Sequence, residues 1–445
     1  MGFENDFAQR VNDRKTVIGV VGLGYVGLPL VLAFHNLGFD IVGIDVDEAK
    51  TKRMMNGVSD IRHIPDEKVA ELVASGRFIA TTDFAELKRT DAILICVPTP
   101  LGPHREPDLS FVEKTCESIS KVLVKNQIII LESTTFPGTS TDIMVPILEA
   151  GSGMKVDQDF HIAYSPERED PGNPDFETAT IPKVVGADNP VSLEIAKALY
   201  GCMVNKVVEV SSLRTAEAVK LTENIFRSVN IALVNELKVV FEKMDVDVWE
   251  VINAASTKPF GFMPFYPGPG LGGHCIPIDP FYLTWKAHEY GQPTRFIELA
   301  GEINRRMPTY VVERLRDALS THQQKALNGA KILLVGLAYK KNVDDMRESP
   351  SLVLLEMLEA HGAEVEFYDP YIPVILPTRE HAELNGRKSI EWNKDTLSQF
   401  DVALISTDHD DVDWNELVET LPLVVDTRNA TKGVSDKLSA KVVKA

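Results

Sequence analysis

Short apolar runs alternate with helix-like segments in the first half of the chain. The run from Val17 to Val21 is continuous and β-branched, which is typical of a parallel strand buried on both faces. A glycine-rich turn and a helix-like stretch ending near Gly38 follow, and a second strand is predicted from Ile41 to Ile44. Further strand-like runs occur at 92–97 and 127–133. This alternation predicts a doubly wound α/β domain over residues 1–210.

The middle of the chain, residues 211–324, has a different pattern and is predicted to be helical. No Gly or Pro occurs between Gly201 and Pro259, and the segment from Leu213 to Met244 predicts one long helix. Residues 259–280 then become rich in Pro and Gly, with aromatic residues and a cysteine between them. We expect an ordered loop in this region, because a flexible linker seldom carries those residues.

The last part of the chain repeats the first pattern. Residues 330–340 read as a strand and a turn, a helix-like stretch and another strand follow, and later strands are predicted at 402–408 and 423–429. The predicted fold class is therefore α/β. Two Rossmann-like doubly wound domains, 1–210 and 325–445, are joined by a long central helix and a helical middle domain.

Composition and charge limit the classes of function. The 445 residues carry a formal net charge of -19, which argues against nucleic-acid binding through a general basic surface. The N-terminus lacks the apolar core of a signal peptide, and no run of 18 apolar residues predicts a membrane span. The four cysteines form no CxxC pair and no disulfide framework. A cytoplasmic protein that binds neither nucleic acid nor membrane is predicted.

The first turn of the chain carries a dinucleotide-binding pattern. Gly22, Gly24 and Gly27 form GxGxxG directly after a strand, and Asp45 ends the next strand. The glycines permit a tight turn, close approach of a pyrophosphate and close helix packing, while the helix N-terminus attracts phosphate. A carboxylate at Asp45 would bind a ribose 2′-hydroxyl and repel a 2′-phosphate, which predicts NAD rather than NADP. The alternative is that the glycines only shape a turn.

The loop at 259–280 contains a candidate nucleophile. Cys275 lies in a Gly-Gly-His-Cys stretch, with Asp279 four residues later, and the thiol is suited to attack on an aldehyde carbon. The alternative is a small buried hydrophobic residue, which is how we interpret Cys96, Cys116 and Cys202. His274 beside the thiol does not make a metal site, since no second ligand pair is suitably spaced. We therefore predict no metal.

Two further sets of polar residues are candidates. Lys220 and Asn224 share one face of the long helix, so they either act on a developing oxyanion or are a solvated lysine with a polar neighbour. The pattern does not choose between these. Lys340, Lys341 and Arg347 follow the first strand of the last domain and suit a phosphate-bearing ligand. The alternative there is an ordinary basic surface.

Taken together, these motifs make the chain resemble the UDP-sugar 6-dehydrogenases from about residue 15 to 430. The matching stretches, in family order, are GVVGLGYVGLP, ESTTFPGT, AYSPER, KLTENIFRSVNIALVNE, GPGLGGHCIPIDP and GLAYKKNVDDMRESPS. The loop sequence is most similar to the UDP-N-acetylglucosamine branch. Members acting on UDP-glucose tend to carry Ser-Cys-Phe-Pro-Lys-Asp at the cysteine, and here Ile278 replaces that lysine.

The resemblance implies an NAD-dependent oxidation of the sugar C6 alcohol in two steps, through a thiohemiacetal and a thioester on Cys275. It further implies that Lys220 and Asn224 stabilise the C6 oxyanion, that Asp279 orients a base or water, and that Thr134 positions water. Glu167 matches a glutamate that assists hydrolysis. A second family glutamate falls on Pro171 here, so a two-glutamate scheme does not carry over. The expected product is a uronic acid for surface polysaccharide synthesis.

The resemblance and the motifs together define the predicted site residues. The catalytic residues are Cys275, Lys220, Asn224, Asp279, Glu167 and Thr134. The NAD-binding residues are Gly22, Gly24, Tyr25, Val26, Gly27, Asp45, Thr99, Thr134 and Arg347. The substrate-binding residues are Glu167, Arg168, Lys220, Asn224, Tyr266, Gly272, Lys340 and Arg428. The long helix resembles the dimer core of the family, so a homodimer or an assembly of dimers is expected.

Alternative functions remain open from sequence alone. The first alternative is the same reaction on UDP-glucose, UDP-N-acetylgalactosamine or UDP-N-acetylmannosamine. These sugars differ from one another by one substituent or one stereocentre. Two-electron dehydrogenases of the 6-phosphogluconate or 3-hydroxyacyl type also join an NAD domain to long helices, but they need neither Cys275 nor residues 330–430. A non-catalytic NAD-sensing protein would have lost the candidate catalytic side chains, and here they are present.

Overall fold

A computed structural model describes residues 2–61, 64–102, 106–168, 180–273, 276–378, 380–434 and 441–445. The chain divides into two compact units. The first unit contains Met1–Glu223 and Phe281–Pro293, and the second contains Asn224–Pro280 and Thr294–Ala445. Each unit has its own sheet and its own apolar core.

The first unit is built on an eight-stranded sheet. Its strands are β1 (Val17–Val21), β2 (Asp40–Ile44), β3 (Phe78–Thr81), β4 (Ala92–Ile95), β5 (Ile128–Leu131), β6 (His161–Tyr164), β7 (Lys183–Gly186) and β8 (Val207–Val210). Their order across the sheet is β3-β2-β1-β4-β5-β6-β7-β8. Neighbouring strands are parallel, except β6 and β7, which are antiparallel. The sheet therefore has the strand order of a dinucleotide-binding fold extended by two strands.

Both faces of this sheet are buried, which explains why its strands are continuous apolar runs. Ile18 and Val20 of β1 point into one core cluster, whereas Val21 belongs to the cluster on the opposite face. Strand β5 alternates in the same way, with Ile130 on one face and Ile129 on the other. Period-two alternation between two apolar cores is what a parallel sheet covered by helices requires.

Helices cover the sheet of the first unit and connect its strands. They are α1 (Phe3–Asn12), α2 (Gly27–Asn36), α3 (Glu48–Met55), α4 (Asp66–Ala74), α5 (Ser110–Ser120), α6 (Val145–Ser152) and α7 (Pro190–Gly201). Short 3₁₀ and π-helical turns occupy Phe84–Arg89 and Thr139–Met144. Two further helices, α8 (Leu213–Glu242) and α10 (Asp279–Glu289), contribute residues to both units.

A buried ion pair joins strands on this sheet. Lys183, the first residue of β7, places its Nζ 2.6 Å from an Oε2 of Glu132, the residue that follows β5. Tyr200 of α7 donates its hydroxyl hydrogen to the same carboxylate. Burial raises the pKa of Glu132. Burial would lower the pKa of Lys183, but the charges of Glu132 and Glu167 outweigh it and raise that pKa, so the ammonium stays charged.

The second unit contains a smaller parallel sheet. Its strands are β9 (Lys331–Val335), β10 (Glu364–Tyr368), β11 (Val402–Ile405), β12 (Val424–Asp426) and β13 (Val442–Lys444), in the order β10-β9-β11-β12-β13. All of its strand pairs are parallel. Leu334 and Leu333 of β9 face different core clusters, so this sheet too is covered on both sides.

The helices of the second unit include two long ones. They are the C-terminal part of α8, α9 (Val248–Ser256), α11 (Arg295–Gln323), α12 (Pro350–Ala360), α13 (Lys394–Leu397) and α14 (Trp414–Thr420), with a 3₁₀ turn at Ala382–Leu384. Asn235 of α8 donates to Asn304 Oδ1 of α11 (2.9 Å), and Asn304 donates to Ser228 O (3.1 Å). Within the described part of the chain, no helix is both long enough and apolar enough to cross a bilayer.

The fold class predicted from sequence is confirmed. The strand from Val17 to Val21 and the helix beginning at Leu213 are observed, and that helix ends at Glu242 rather than Met244. The described residues of 259–273 and 276–278 form neither helix nor strand, as the Pro/Gly-rich pattern predicted. The strands β3, β6, β7, β8 and β13, each three or four residues long, were not predicted.

We expect Lys183→Met to destabilise the protein by about 3–5 kcal/mol, because it leaves Glu132 as an uncompensated buried charge. The loss should be smaller at pH 5.5 than at pH 7.5, since an unpaired buried carboxyl takes up a proton as the pH falls. Urea unfolding at both pH values measures this. The control Lys197→Met removes a half-exposed lysine of α7 and should cost below about 1 kcal/mol. Equal losses for the two variants would contradict the expectation.

Candidate active site

Five predicted site residues follow directly after strands of the first unit. Gly22 follows β1, Asp45 follows β2, Thr99 comes after β4, Thr134 after β5 and Glu167 after β6. Since these strands are mutually parallel neighbours, their carboxyl ends lie along one edge of the sheet. In an open α/β sheet this is the edge at which ligands bind.

The glycine turn has the shape needed for a dinucleotide. Gly22 has φ +92°, and a Cβ there would lie 2.6 Å from Cys96 O. A Cβ on Gly27 would lie 1.8 Å from Gly22 O, so the turn and α2 can pack only with glycine at both positions. At Gly24 a Cβ would meet no heavy atom of the described residues within 4 Å. Gly24 is therefore not required for internal packing, and it leaves the turn open to a ligand.

The start of α2 is available to an anion. Among the described residues no side chain caps this helix, and its first turn contains no acidic residue. Tyr25 is exposed and Val26 is the residue before the helix. Uncapped N–H groups and the positive end of the helix dipole at a glycine turn suit a pyrophosphate. The residues of this turn therefore fit the predicted NAD.

Asp45 is fixed beside the glycine turn. Its Oδ2 accepts hydrogen bonds from Leu23 N (3.0 Å) and from Lys50 Nζ (2.8 Å), and its Oδ1 accepts one from Asp47 N (3.1 Å). Burial alone would raise the pKa of this carboxyl, but these bonds overcome it and lower the pKa. Asp45 is therefore an ionised acceptor next to the glycine turn, with a lysine close by, and its binding of a ribose hydroxyl stays a prediction.

The turns after β4 and β5 are tied together. Thr99 Oγ1 donates to Thr134 O at 2.8 Å, and the buried Tyr282 donates its hydroxyl hydrogen to Thr99 O. Thr134 itself is only partly buried. These contacts fix the Thr134 backbone in the turn after β5.

Glu167 and Lys220 meet within the first unit. Lys220 Nζ donates to Glu167 O at 2.5 Å, and Lys183 Nζ lies 3.4 Å from Glu167 Oε2. Arg168 is held by other groups, since it donates to Pro182 O (2.5 Å) and pairs with Glu223 (2.7 Å). The structure therefore brings Lys220 to Glu167, while Arg168 serves to anchor this segment.

Asn224 and Asp279 form a second contact, within the second unit. Asn224 Nδ2 donates to Asp279 Oδ2 at 2.6 Å, and both side chains are buried. Asp279 is the first residue of α10, and Asn224 lies one helical turn after Lys220 on α8. The bond fixes the end of the Pro/Gly-rich loop to the helix that carries the predicted oxyanion-stabilising pair.

Residues 267–273 of that loop pack closely in the second unit. A Cβ on Gly272 would lie 2.6 Å from Tyr339 Cβ, and one on Gly268 would lie 2.4 Å from Arg428 Nη1. Gly268 N donates to Asn235 Oδ1 (3.1 Å). Tyr266 is 46% exposed. Glycines in this loop therefore allow close approach of the backbone to neighbouring groups.

Arg428 lies beside this loop, at the end of β12. It donates through Nε to Ser406 O (3.0 Å), and its backbone N–H donates to Asp426 Oδ1 (2.9 Å). Burial lowers its pKa from the ordinary value of an arginine. The guanidinium is thus held in a fixed orientation against the loop.

The second Rossmann-like unit uses its corresponding carboxylate differently. Asp369, which follows β10, accepts hydrogen bonds from Leu337 N (2.6 Å) and Ala338 N (2.9 Å) and pairs with buried His409. It is 3% exposed, so it stabilises its own turn rather than offering an acceptor to ribose. Lys340 is partly exposed in that turn.

The other basic residues near that turn are engaged at the surface. Lys341 pairs with Asp410 (2.6 Å) and Arg347 pairs with Asp345 (2.6 Å). Arg347 O also accepts a hydrogen bond from Gly273 N (3.1 Å). The prediction that these charges hold a phosphate-bearing ligand stays a prediction.

Three predictions fall on residues outside the described part of the chain, namely Cys275, its neighbour His274 and the substituted position Pro171. The remaining thiols are buried or partly buried, and burial raises the pKa of Cys116 to about 12 and that of Cys96 well above its usual value. Those two cysteines are inert packing residues, as predicted. Among the described residues, no group of three His, Cys, Asp or Glu side chains is arranged to hold a metal ion.

Sequence reasoning missed three residues that position the site. Lys183 braces Glu167 from β7, Tyr282 fixes the Thr99 turn, and Asn235 fixes the glycine loop. A charged residue at the edge of an apolar strand was a signal for Lys183. No local pattern marks Tyr282 or Asn235, because their partners are more than 30 residues away.

Each unit contains groups of the kind that oxidation of an alcohol requires. The first unit contains the Lys220 cation and a glycine turn next to an acidic residue, and the second contains the Asn224 amide donor with the Asp279 acceptor. Preorganised donors of this type stabilise an oxyanion that develops in a transition state.

Comparisons with known proteins agree with this chemistry. Models of the UDP-glucose/GDP-mannose dehydrogenase family match the NAD-binding domain at residues 16–204, the central domain at 214–306 and the UDP-binding domain at 333–433. A UDP-N-acetyl-D-glucosamine 6-dehydrogenase from Pseudomonas aeruginosa is 37% identical over 80% of this chain and 83% of its own length. A UDP-N-acetyl-D-mannosamine dehydrogenase from Pyrococcus horikoshii is 34% identical over 93% and 96%.

A solved structure of the UDP-D-ManNAc dehydrogenase from Pyrococcus horikoshii superimposes with a TM-score of 0.85, at 33% identity, over 95% of this chain and 97% of that one. The family and the NAD cofactor predicted from sequence are thereby confirmed, and the matched UDP-binding domain makes a UDP-sugar the substrate class. The chain belongs to the UDP-glucose/GDP-mannose dehydrogenase family, as an NAD-dependent UDP-sugar dehydrogenase.

Proposed function

We propose that the protein oxidises the C6 alcohol of UDP-N-acetylglucosamine to the carboxylate of UDP-N-acetylglucosaminuronic acid, a precursor for surface polysaccharide. The observation that carries the proposal is the buried Asn224–Asp279 hydrogen bond of 2.6 Å. It ties the segment that follows Cys275 to the helix of Lys220. In the sequence, Cys275 precedes Asp279 by four residues and Lys220 precedes Asn224 by four, so this bond supports the proposal that nucleophile, cation and amide donor act together.

The reaction balances as a four-electron oxidation. The C6 alcohol loses a hydride and a proton to become an aldehyde, and the Cys275 thiolate adds to that aldehyde. That addition leaves a negative oxygen, and the resulting thiohemiacetal anion loses a second hydride to become a thioester, which water hydrolyses to the acid and the free thiol. NAD⁺ held at the glycine turn would take up one hydride in each oxidation, so two NAD⁺ would be reduced per sugar. The covalent bond to Cys275 prevents release of the aldehyde.

The chain's own residues have distinct roles in this scheme. Lys220 and Asn224 stabilise the negative charge that develops on the C6 oxygen, and Asp279 orients the Asn224 amide. Glu167 and Thr134 position the hydrolytic water, with Lys183 holding the Glu167 carboxylate. Lys340, Arg428, Tyr266 and Gly272 bind the UDP-sugar. Since Pro171 replaces the second family glutamate, Glu167 acts without that partner.

The acetylated glucose derivative is the proposed sugar for two reasons. The Pseudomonas aeruginosa relative is named for it, and Ile278 departs from the lysine found at this position in UDP-glucose enzymes. A relative named for N-acetylmannosamine matches 93% of the chain, against 80% for the Pseudomonas aeruginosa relative, so UDP-N-acetylmannosamine, UDP-N-acetylgalactosamine and UDP-glucose are the alternatives to test.

We expect about two NADH per UDP-N-acetylglucosamine consumed when the reaction is run to completion with excess NAD⁺. Absorbance at the NADH band and chromatography of the sugar nucleotide measure the two quantities, with the three alternative UDP-sugars beside them. About one NADH per sugar would contradict the thioester scheme. Two NADH from another sugar only would keep the mechanism and change the substrate.

A Cys275→Ser variant separates the mechanism from the cofactor site. It should retain NAD⁺ binding and lose steady turnover by several orders of magnitude, because serine forms no thioester. A Cys116→Ser variant is the matched control, since Cys116 is buried in the core and should leave turnover intact. Normal turnover of Cys275→Ser would support a two-electron dehydrogenase instead.

We expect Asp45→Asn to raise the KM for NAD⁺ by about 10- to 100-fold, because a hydrogen bond to a charged acceptor contributes roughly 1.5–3 kcal/mol. The amide keeps an acceptor for Leu23 N but no longer repels a 2′-phosphate, and it frees Lys50 from its ion pair. Relative use of NADP⁺ should therefore increase. Asp40→Asn, at the exposed start of the same strand, is the control. Unchanged cofactor preference would exclude this role for Asp45.

We further propose that α8 forms a homodimer interface. Phe226, Leu233 and Val240 recur every seven residues on this helix and are 47%, 53% and 45% exposed. A repeat of seven places them on one face, and an exposed apolar stripe of this kind marks an association surface. Phe296 and Leu299 of α11 are also exposed.

We expect Leu233→Arg to weaken dimerisation by roughly 100-fold or more, because it would bury an unpaired charge in an apolar contact. Sedimentation or light scattering over a range of protein concentrations measures the effect. Leu376→Arg, at an exposed position outside the helices, is the control and should not change the assembly. A wild-type monomer, or an unchanged Leu233→Arg dimer, would contradict the proposed interface.

A further inference from the structure

One lysine of the second unit is buried without a partner. Lys238 lies on α8 and is 4% exposed, and its Nζ has no hydrogen-bond partner among the described residues. It faces the Trp249 ring at 4.7 Å and the Tyr310 ring at 6.0 Å. A buried ammonium normally finds a carboxylate, because an unpaired charge is costly to remove from water.

Lys238 lies at the wall of a cavity of about 310 Å³, here called the Lys238 cavity. The cavity is lined by Lys238, Glu242, Asp245, Val246, Asp247, Val248, Trp249, Arg314 and Lys444. A volume of this size is at the lower end of small-molecule sites. None of the lining residues is a predicted cofactor- or substrate-binding residue, although the predicted substrate-binding residue Arg428 is close enough to affect Lys238.

Two acidic residues of the lining are already paired with other groups. Glu242 pairs with Arg314 Nη1 at 2.7 Å and accepts the Tyr310 hydroxyl hydrogen. Asp247 pairs with Lys444 at 2.6 Å and also caps α9 through the N–H groups of Trp249 and Glu250. Neither carboxylate therefore accepts a hydrogen bond from Lys238.

A second cationic donor of the cavity is also unsatisfied. Arg314 Nε is buried and has no hydrogen-bond partner among the described residues, although Nη1 of the same side chain is paired with Glu242. Arg314 and Lys238 repel each other, and an anion between two such donors would relieve this repulsion. Arginine and lysine donors together are the groups that recognise oxyanions.

The protonation of Lys238 agrees with this arrangement. Burial lowers its pKa to about 7, and Arg314 and Arg428 lower it as well, while Asp426 and Glu242 act in the opposite direction. The other titratable groups around it are Asp245, Asp247, Tyr310 and Lys444. An anion that binds would favour the charged ammonium and draw a proton onto it.

We propose that the Lys238 cavity binds a small oxyanion of the phosphate or sulfate type, with Lys238 Nζ and Arg314 Nε as hydrogen-bond donors. The cavity is larger than a bare ion, and Val246, Val248 and the Trp249 side chain supply apolar lining for the remainder of a phosphate ester. Free phosphate and a phosphate ester share the recognised group.

The first test is the melting temperature of the full chain at pH 6.5 in potassium sulfate, against potassium chloride at equal ionic strength. Wild type should gain roughly 1.5–3 °C at ten times the dissociation constant. Lys238→Met removes an unpaired charge, so it should fold at least as well as wild type without sulfate and lose most of this gain. Lys243→Met, one turn further at an exposed position, is the control and should keep the gain.

Sulfate that binds at the cofactor or UDP-sugar residues would stabilise Lys238→Met as much as wild type, and that outcome would overturn the proposal. The same assay with glucose 6-phosphate and with inorganic phosphate distinguishes a phosphate ester from the free ion. The compound that stabilises wild type at the lower concentration is the better ligand.

A second test uses only the wild-type protein, so it does not depend on the folding of a variant. Sulfate stays dianionic at pH 8, so calorimetric titration of wild type in two buffers of different ionisation heat counts the protons taken up by the protein. Uptake approaching one proton per sulfate is expected, because Lys238 is mostly neutral at pH 8 before the anion binds. Sulfate binding without proton uptake would overturn the proposal, as would absence of binding.

Discussion

The geometry of the first unit depends on the parallel pairing of its strands. Because β1, β2, β4, β5 and β6 run in one direction, every crossover returns to the same end of the sheet, and the residue that follows each strand reaches one edge. The glycine turn, Asp45 and Thr134 are far apart in the chain and become neighbours only through this pairing. The apolar faces of the sheet fix the register, since a shift by one residue would exchange the two cores.

The two Rossmann-like units show how one backbone plan acquires different binding chemistry. Asp45 and Asp369 each follow the second strand of their sheet, and each accepts N–H groups from the turn after the first strand. Asp45 is only partly enclosed, so it still has accepting capacity, whereas Asp369 is buried and also holds His409. The second unit therefore offers no free ribose carboxylate at this position, and in the proposed function side chains such as Lys340 and Arg428 bind the ligand instead.

Sequence patterns predicted many of the helices and strands but not the side-chain contacts between them. The strand at Val17–Val21, the helix from Leu213 and the irregular loop follow from local periodicity and from Gly and Pro positions. The Lys183–Glu132 ion pair and the Asn224–Asp279 bond join residues 51 and 55 positions apart, and no local pattern specifies such partners. The functional assignment of Asn224 came from family resemblance, and the structure supplies the contact that orients its amide.

A comparison of two buried lysines, Lys183 and Lys238, supports the proposed anion site at Lys238. Lys183 and Lys238 are removed from water to a similar extent, at 5% and 4% exposure. Lys183 faces two carboxylates, which raise its pKa and keep it charged, so its burial is explained by the protein alone. Lys238 faces aromatic rings and another cation, and burial lowers its pKa to about 7 although the charges of Asp426 and Glu242 act in the opposite direction. In a chain of net charge -19, a carboxylate for Lys238 would have been easy to supply. An anion from solution is the partner that would leave both Lys238 and Arg314 satisfied.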